Sequence, residues 1–122
     1  SVVSVLALSR LFGLDQAVTA SLLPKSVTTP IALELSQTLG GIPSLTVVAV
    51  ILTGTPGIVI APLLIKWLRL RNPVVIGLAM GTSAHASGTS KAVEMGEIQG
   101  AMSGIAIGIT GIFTVIIALI FF

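Results

Sequence analysis

Two long runs of apolar residues without any charge stand out along the chain. The first covers residues 44–65, 22 positions, and the second covers residues 98–122, 25 positions. A helix needs about 20 apolar residues to cross the hydrocarbon core of a bilayer, which is roughly 30 Å thick. Both runs are therefore predicted to be transmembrane helices.

Two further stretches, residues 14–39 and 73–96, are apolar but are interrupted near the middle by polar residues and helix breakers. In the first stretch, Pro24 and Pro30 flank the interruption. Thr29 is suited to cap a new helix and Pro30 to be its first residue, because proline has no N–H to leave unpaired there. The pattern predicts two half-helices in each stretch, joined by an unwound polar linker.

The second interruption, residues 81–88, is rich in glycine and hydroxyl residues and precedes Thr89, which is predicted to cap the helix that follows. Such a linker is tolerated at membrane depth only where it is buried in protein or lines water. Each interrupted stretch can cross the membrane as a broken helix or turn back as a re-entrant hairpin.

The basic residues bear on that choice. If both stretches cross, Arg10 lies on the same side as the three basic residues of segment 66–71, and Glu97 lies on the other side. If both turn back, Arg10 is separated from the other three. The positive-inside rule favours crossing, although few basic residues are available to count, so the re-entrant alternative stays open.

The two interrupted stretches also resemble each other at an offset of sixty residues. Hydroxyl and ionisable side chains are costly inside a membrane, so a duplicated cluster of them favours a site built by two related halves. The alternative is chance similarity between two simple apolar sequences. We place the repeats at residues 14–66 and 73–122. Their four identities are Thr29 with Thr89, Ala32 with Ala92, Glu34 with Glu94 and Gly40 with Gly100.

Composition supports a membrane protein and excludes an ordinary soluble domain. The mean hydropathy is +1.13 and only 8% of residues are charged, whereas about a quarter are charged in soluble domains. The predicted fold is all-α, a polytopic transmembrane helical bundle with two broken helices, in one membrane domain over residues 1–122. So few membrane segments can hardly enclose a translocation path. We therefore expect this chain to be one half of a larger protein. Residues 1–9, too short to span, look like the end of a truncated helix.

The sequence contains no hydrolase, nucleotide or metal motif, and it has one histidine and no cysteine. We therefore expect neither an enzyme nor a cofactor. The net charge of +2 comes from few groups and does not favour nucleic-acid binding.

The positive indication is an anion site. Two restarted helices would direct free N–H groups and positive dipole ends at a shared position, which suits a small carboxylate. Lys25 or Lys91 could supply the counter-charge, and the alternative is that the hydroxyls only cap helices and satisfy the linkers. The predicted substrate-binding residues are Lys25, Ser26, Thr28, Thr29, His85, Ser87, Thr89, Ser90 and Lys91.

Three residues are candidates for proton coupling: His85, Glu34 and Glu94. Histidine is the side chain that ordinarily titrates near neutral pH, but a buried structural role for His85 is the alternative. Glu94 lies three residues after Lys91, so a local ion pair is the simpler interpretation. Glu34 either pairs with Lys25 or Lys91, or it carries protons.

The last apolar run also carries a ridge of small residues. Such ridges allow close approach of another helix, and ordinary packing within the bundle is the simpler interpretation. The ridge consists of Gly100, Ser103, Gly104, Gly108 and Gly111.

The interrupted segments strongly resemble the LrgB/CidB family of bacterial membrane proteins, which has relatives in the plant chloroplast envelope. The matching segments are residues 24–32, 40–46 and 81–89, the last continuing through Glu94 to residues 103–104. The resemblance covers essentially the whole chain, but only the C-terminal half of a family member. Thr110 departs from the family pattern, which commonly has Asn there.

The resemblance implies two kinds of function. Family members are described as antiholin-like modulators of murein hydrolase activity and autolysis, acting with a small holin-like LrgA/CidA partner, and also as carriers of glycolate, glycerate or pyruvate. The duplicated polar cluster favours a small-monocarboxylate transporter in the bacterial plasma membrane, and the antiholin-like regulator is the alternative. We expect a multi-pass protein in contact with the lipid bilayer, a carboxylate substrate and the LrgA/CidA-type partner. Proton coupling and a homo-oligomer are left open.

Overall fold

The computed structural model describes residues 1–122, and all of its regular secondary structure is helical. The two long apolar runs form α4 and α6, each 25 residues long and apolar enough to cross a membrane, as predicted. The six helices are α1 Val2–Phe12, α2 Gln16–Leu22, α3 Thr29–Thr38, α4 Pro43–Trp67, α5 Pro73–Met95 and α6 Glu97–Phe121.

The chain divides into two compact units. The first unit comprises residues 1–51 and 111–122, and the second comprises residues 52–110. The first therefore holds α1, α2, α3, the start of α4 and the end of α6, while the second holds the rest of α4, α5 and the start of α6. The two interrupted stretches fall in different units.

A tight turn joins α1 to α2 in the first unit. Gly13 has φ 62°, a left-handed conformation that glycine adopts without steric cost, and the N–H of Leu14 donates to the Ser9 carbonyl at 2.9 Å. Asp15 then caps α2 by accepting from the Ala17 N–H at 3.2 Å. The sequence therefore ends one helix and starts the next within three residues.

The start of α3 differs by one residue from the prediction. Thr28, with extended backbone angles, is the N-cap residue, so Thr29 is the first helical residue and Pro30 the second. Proline is accepted in the first turn because no N–H there has an intrahelical partner. The predicted cap at Thr29 is wrong, and the side chain of Thr28 makes no capping hydrogen bond.

The centre of α5 differs more strongly from the prediction. Helical structure continues through most of residues 81–88, and the one residue with non-helical backbone angles is His85, at φ 51° and ψ −136°. Thr89 lies inside the helix, where its hydroxyl donates to the His85 carbonyl at 3.0 Å. The prediction that Thr89 is an N-cap is therefore wrong, because its hydroxyl bonds backward along the helix to a carbonyl instead of forward to an N–H.

Small apolar clusters hold each unit together. In the first unit, Val2, Val5 and Leu23 form one cluster, with Ile117 and Phe122 packed against it. In the second unit, a cluster of Ile76, Met80 and Ala92 is covered by Ala61, Ile65, Leu70 and Met95. In the most apolar 18 residues of α4, and likewise of α6, only 22% of the residues are buried. Most of each long helix therefore presents large apolar side chains to its surroundings.

Candidate functional site

The polar segment of the first unit lies between α2 and α3. Two turns shape it, with the Lys25 N–H donating to the Leu22 carbonyl at 3.2 Å and the Val27 N–H to the Pro24 carbonyl at 3.3 Å. Val27 is buried, 2% exposed, and packs in a cluster with Ala32 and Val50. This apolar anchor fixes the linker, so its polar neighbours are presented at the start of α3.

The predicted site residues of this segment differ in whether their polar side-chain groups have a hydrogen-bond or salt-bridge partner. Ser26 is engaged, because its hydroxyl accepts a hydrogen bond from the hydroxyl of Ser1. Thr28 and Thr29 are partly buried and their hydroxyls make no hydrogen bond within the chain, while Lys25 is partly buried and forms no salt bridge. Two hydroxyls at the N-terminus of α3 and the ammonium group of Lys25, earlier in the same linker, therefore remain available.

The second unit places the non-helical residue of α5 against glycines. His85 is 5% exposed, and its positive φ is a conformation that non-glycine residues rarely adopt unless their surroundings enforce it. A Cβ on Gly57 would lie 2.5 Å from Cβ of Ala84, and a Cβ on Gly88 would lie 2.6 Å from that same atom. These glycines allow α4 and the second part of α5 to approach the backbone next to His85 closely.

Thr89 has a structural role in this unit. Its hydroxyl donates to the His85 carbonyl at 3.0 Å and lies 2.7 Å from the hydroxyl of Ser103 on α6. Ser103 is fully buried. Since the Thr89 hydrogen is used on the carbonyl, Ser103 donates to Thr89, and this pair joins α5 to α6. The hydroxyl of Thr89 therefore has little capacity left for a ligand.

The remaining predicted residues of α5 are also partly engaged. The expected salt bridge between Lys91 and Glu94 is present, with Nζ and Oε2 2.6 Å apart. The hydroxyl of Ser90 donates to the Ala86 carbonyl at 3.2 Å. Ser87 is exposed and makes no hydrogen bond within the chain. On this helix, Ser87 is the predicted hydroxyl that stays available.

The sequence suggested that Glu34 pairs with Lys25 or with Lys91, and the ion pair with Lys25 is absent. The side chain of Glu34 is exposed on α3 and makes no salt bridge with Lys25. Its backbone carbonyl accepts from the hydroxyl of Thr38 at 2.8 Å. The carboxylate itself therefore remains without a counter-charge from the linker beside it.

Ser36 and Thr46, which were not predicted as site residues, form the matching hydroxyl pair of the first unit. The Thr46 hydroxyl donates to that of Ser36 at 2.7 Å, and both side chains are fully buried. Each unit thus contains one hydroxyl pair between a shorter helix segment and a long apolar helix. A signal existed in the sequence, because isolated small hydroxyl residues inside apolar helices often mark helix contacts.

The helical fold and the two long apolar helices are those of a helical membrane protein. A family model described as the LrgB-like family matches residues 1–122, so the chain belongs to this family. The expected family membership is confirmed.

Related proteins agree with this assignment. The chain is 45% identical over 104 residues to YxaC of Bacillus subtilis. The aligned residues cover 85% of this chain and 45% of that protein. It is 42% identical over 117 residues to the antiholin-like protein LrgB of Bacillus mycoides, covering 96% of this chain and 51% of that protein. The antiholin-like protein LrgB of Bacillus cereus is 41% identical over the same shares. The chain spans about half the length of the curated relatives it matches. No solved structure matches it.

Proposed function

We propose that this chain is part of an antiholin-like protein of the bacterial plasma membrane, which regulates murein hydrolase activity together with a small holin-like LrgA/CidA-type partner. The observation that carries the proposal is the 42% identity, over 96% of the chain, to a protein named antiholin-like. The apolar surfaces of α4 and α6 supply the membrane embedding that this role needs.

The small residues of α6 provide a surface for such a partner. Gly100 is occupied within the chain, because a Cβ there would lie 2.7 Å from Cγ2 of Val93. Gly104 and Gly108 face open space, with no atom within 4 Å of an added Cβ. Small residues on an open helix face let another helix approach closely in a membrane.

The test uses the full-length protein, expressed with and without the holin-like partner in cells that lack their own copies. We expect the wild type to change the rate of autolysis only when the partner is present. The double variant Gly104→Leu/Gly108→Leu should lose this effect and co-purification with the partner. The control Ile105→Leu, at a half-exposed position on the same helix, should keep both. Autolysis that is the same with and without the wild-type protein would contradict the proposal.

A second candidate function is the transport of a small monocarboxylate such as glycolate, glycerate or pyruvate. It is favoured by one observation in the first unit: Lys25, Thr28 and Thr29 have unused polar groups beside the N-terminus of a helix. A carboxylate could accept hydrogen bonds from both hydroxyls and from backbone N–H groups, with the ammonium group as counter-charge. Altered autolysis would then follow indirectly from carboxylate and proton traffic.

In this candidate function, the interrupted stretches act as the two discontinuous transmembrane helices of an internal repeat. The order of elements supports it: α3 precedes the 25-residue α4, and the part of α5 after His85 precedes the 25-residue α6. Ser87 is the available hydroxyl of the second copy. His85, Glu34 and Glu94 remain candidates for proton coupling, and Glu94 would have to leave its salt bridge to take part.

Uptake of labelled pyruvate, glycolate and glycerate into proteoliposomes carrying the full-length protein tests the carrier function. We expect saturable uptake that other carboxylates inhibit, and at least a tenfold loss in Lys25→Ala, since a charge-assisted contact is removed. Lys66→Ala, at an exposed position at the end of α4, is the matched control and should transport normally. Absence of saturable uptake by the wild type under an imposed pH gradient would contradict transport.

A further inference from the structure

A cleft of about 370 Å³ lies in the first unit, beside the turn between α1 and α2. Its polar lining includes Ser9 and Arg10 from the last turns of α1 and Gln16 from the start of α2. Its apolar lining includes Leu14 and Phe121. The cleft is distinct from the linker of Lys25, and neither of the functions proposed above uses it.

The hydroxyl of Ser9 is the first indication of a ligand. Ser9 lines the cleft, is only 4% exposed, and its Oγ has no hydrogen-bond partner. A buried hydroxyl without a partner is unfavourable, and most such groups in proteins are satisfied by protein, water or ligand. A ligand with an acceptor atom in the cleft would satisfy it once the side chain turns its hydroxyl toward the cleft, because the Oγ is itself buried.

Arg10 is the second indication. Its side chain is exposed at the same cleft and forms no salt bridge. Asp15, the nearest acid along the chain, accepts from the Ala17 N–H and does not line the cleft. The free charge is therefore positive, and a guanidinium group binds phosphate oxygens in a bidentate manner.

The apolar lining indicates which source of phosphate fits. Leu14 is 41% exposed and Phe121 is 63% exposed, so apolar surface continues outward from the polar end of the cleft. A free guanidinium is very costly in hydrocarbon, which places Arg10 at the membrane boundary of this membrane protein. A molecule with a phosphate at one end and a hydrocarbon chain at the other matches both parts.

We propose that this cleft binds the phosphate group of an anionic phospholipid, with Arg10 pairing with the phosphate, Ser9 donating to one of its oxygens, and an acyl chain packing along Leu14 and Phe121. Basic pockets between helices near a membrane surface are suited to such headgroups. The site does not depend on whether the protein regulates autolysis or transports a carboxylate.

The test is native mass spectrometry of the full-length, lipid-stripped protein in detergent, titrated separately with phosphatidylglycerol, with phosphatidylcholine of the same acyl chains, and with inorganic phosphate. We expect phosphatidylglycerol to bind most tightly and Arg10→Gln to weaken it about tenfold. The control Arg71→Gln removes an exposed arginine that does not line the cleft, and should bind as the wild type does.

Ser9→Ala adds a readout that separates binding from folding. Without lipid, this variant should be at least as stable as the wild type, because the hydroxyl it removes has no partner. The rise in unfolding temperature caused by phosphatidylglycerol should be smaller than in the wild type. Equal phosphatidylglycerol affinity in wild type and Arg10→Gln would overturn the proposal. It would also be overturned if inorganic phosphate displaced no lipid from Arg71→Gln and bound equally well to the lipid-stripped wild type and to lipid-stripped Arg10→Gln.

Discussion

At the scale of single residues, hydrogen bonding decides which hydroxyls are structural. Thr89 was predicted to cap a helix and bind substrate, yet its hydroxyl bonds to the His85 carbonyl and to the buried Ser103. The first of these bonds lies four residues back on the same helix, and the second depends on the packing of α6. The second contact cannot be read from the linear sequence. The sequence therefore could not distinguish the engaged hydroxyl of Thr89 from the available hydroxyl of Ser87.

Removing the hydroxyl of Thr89 tests this structural role. We expect Thr89→Val to destabilise the full-length protein by about 1–3 kcal/mol, because Ser103 would be left as a buried hydroxyl without its acceptor. Thr89→Ser keeps the hydroxyl and should lose clearly less stability. Thermal unfolding in detergent measures both variants, and equal unfolding temperatures would contradict the role of the pair.

Two helical glycines differ sharply in what surrounds them. A Cβ on Gly57 would lie 2.5 Å from Cβ of Ala84, whereas Gly104 has no atom within 4 Å of an added Cβ. We expect Gly57→Ala to destabilise by about 1–3 kcal/mol through overpacking. Gly104→Ala should be neutral or stabilising by up to about 1 kcal/mol, since alanine favours the helix. Thermal unfolding of the two variants side by side checks this, and a greater loss in Gly104→Ala would refute the packing described for α4 and α5.

At the scale of helices, the way each one begins determines how much its cap contributes. Asn72 caps α5, its side-chain oxygen accepting from the Val74 N–H at 3.0 Å, while Thr28 makes no such bond at the start of α3. We expect Asn72→Ala to cost about 1 kcal/mol. Thr28→Ala should cost less than about half of that, because no capping bond is lost. Chemical denaturation distinguishes them, and equal losses would mean that Thr28 caps α3 in solution.

The helix boundaries also show how far local signals reach. Pro24, Pro30 and the hydroxyl residues between them located the interruption before α3 to within one residue, because proline and capping residues act on their immediate neighbours. In α5, eight polar or small residues suggested a long linker, but only His85 leaves helical angles. Gly57 of α4 packs closely against Ala84 in this region, and that contact arises between distant parts of the sequence.

At the scale of the whole molecule, the path of the chain across the membrane is open to direct measurement. The chain has no cysteine, so single cysteines can be introduced in place of exposed charged residues. If both interrupted stretches cross the membrane, cysteines at Arg71 and Glu97 will be labelled by an impermeant reagent from opposite sides, and one at Arg10 from the same side as Arg71. The full-length protein in intact cells and inverted vesicles is the material. Labelling of positions 71 and 97 from one side would establish the re-entrant alternative.

The sequence by itself determined the membrane class, the two long helices and the family, because each depends on the length of an apolar run or on a contiguous motif. Only the tertiary structure decided which polar groups remain for a ligand. It engages Ser26 and Thr89 and leaves Lys25, Thr28 and Thr29 available. It also occupies Gly100 while leaving Gly104 open. The physical reason is that a hydrogen bond or a packing contact is a property of two positions brought together by folding, and neither residue encodes its partner alone.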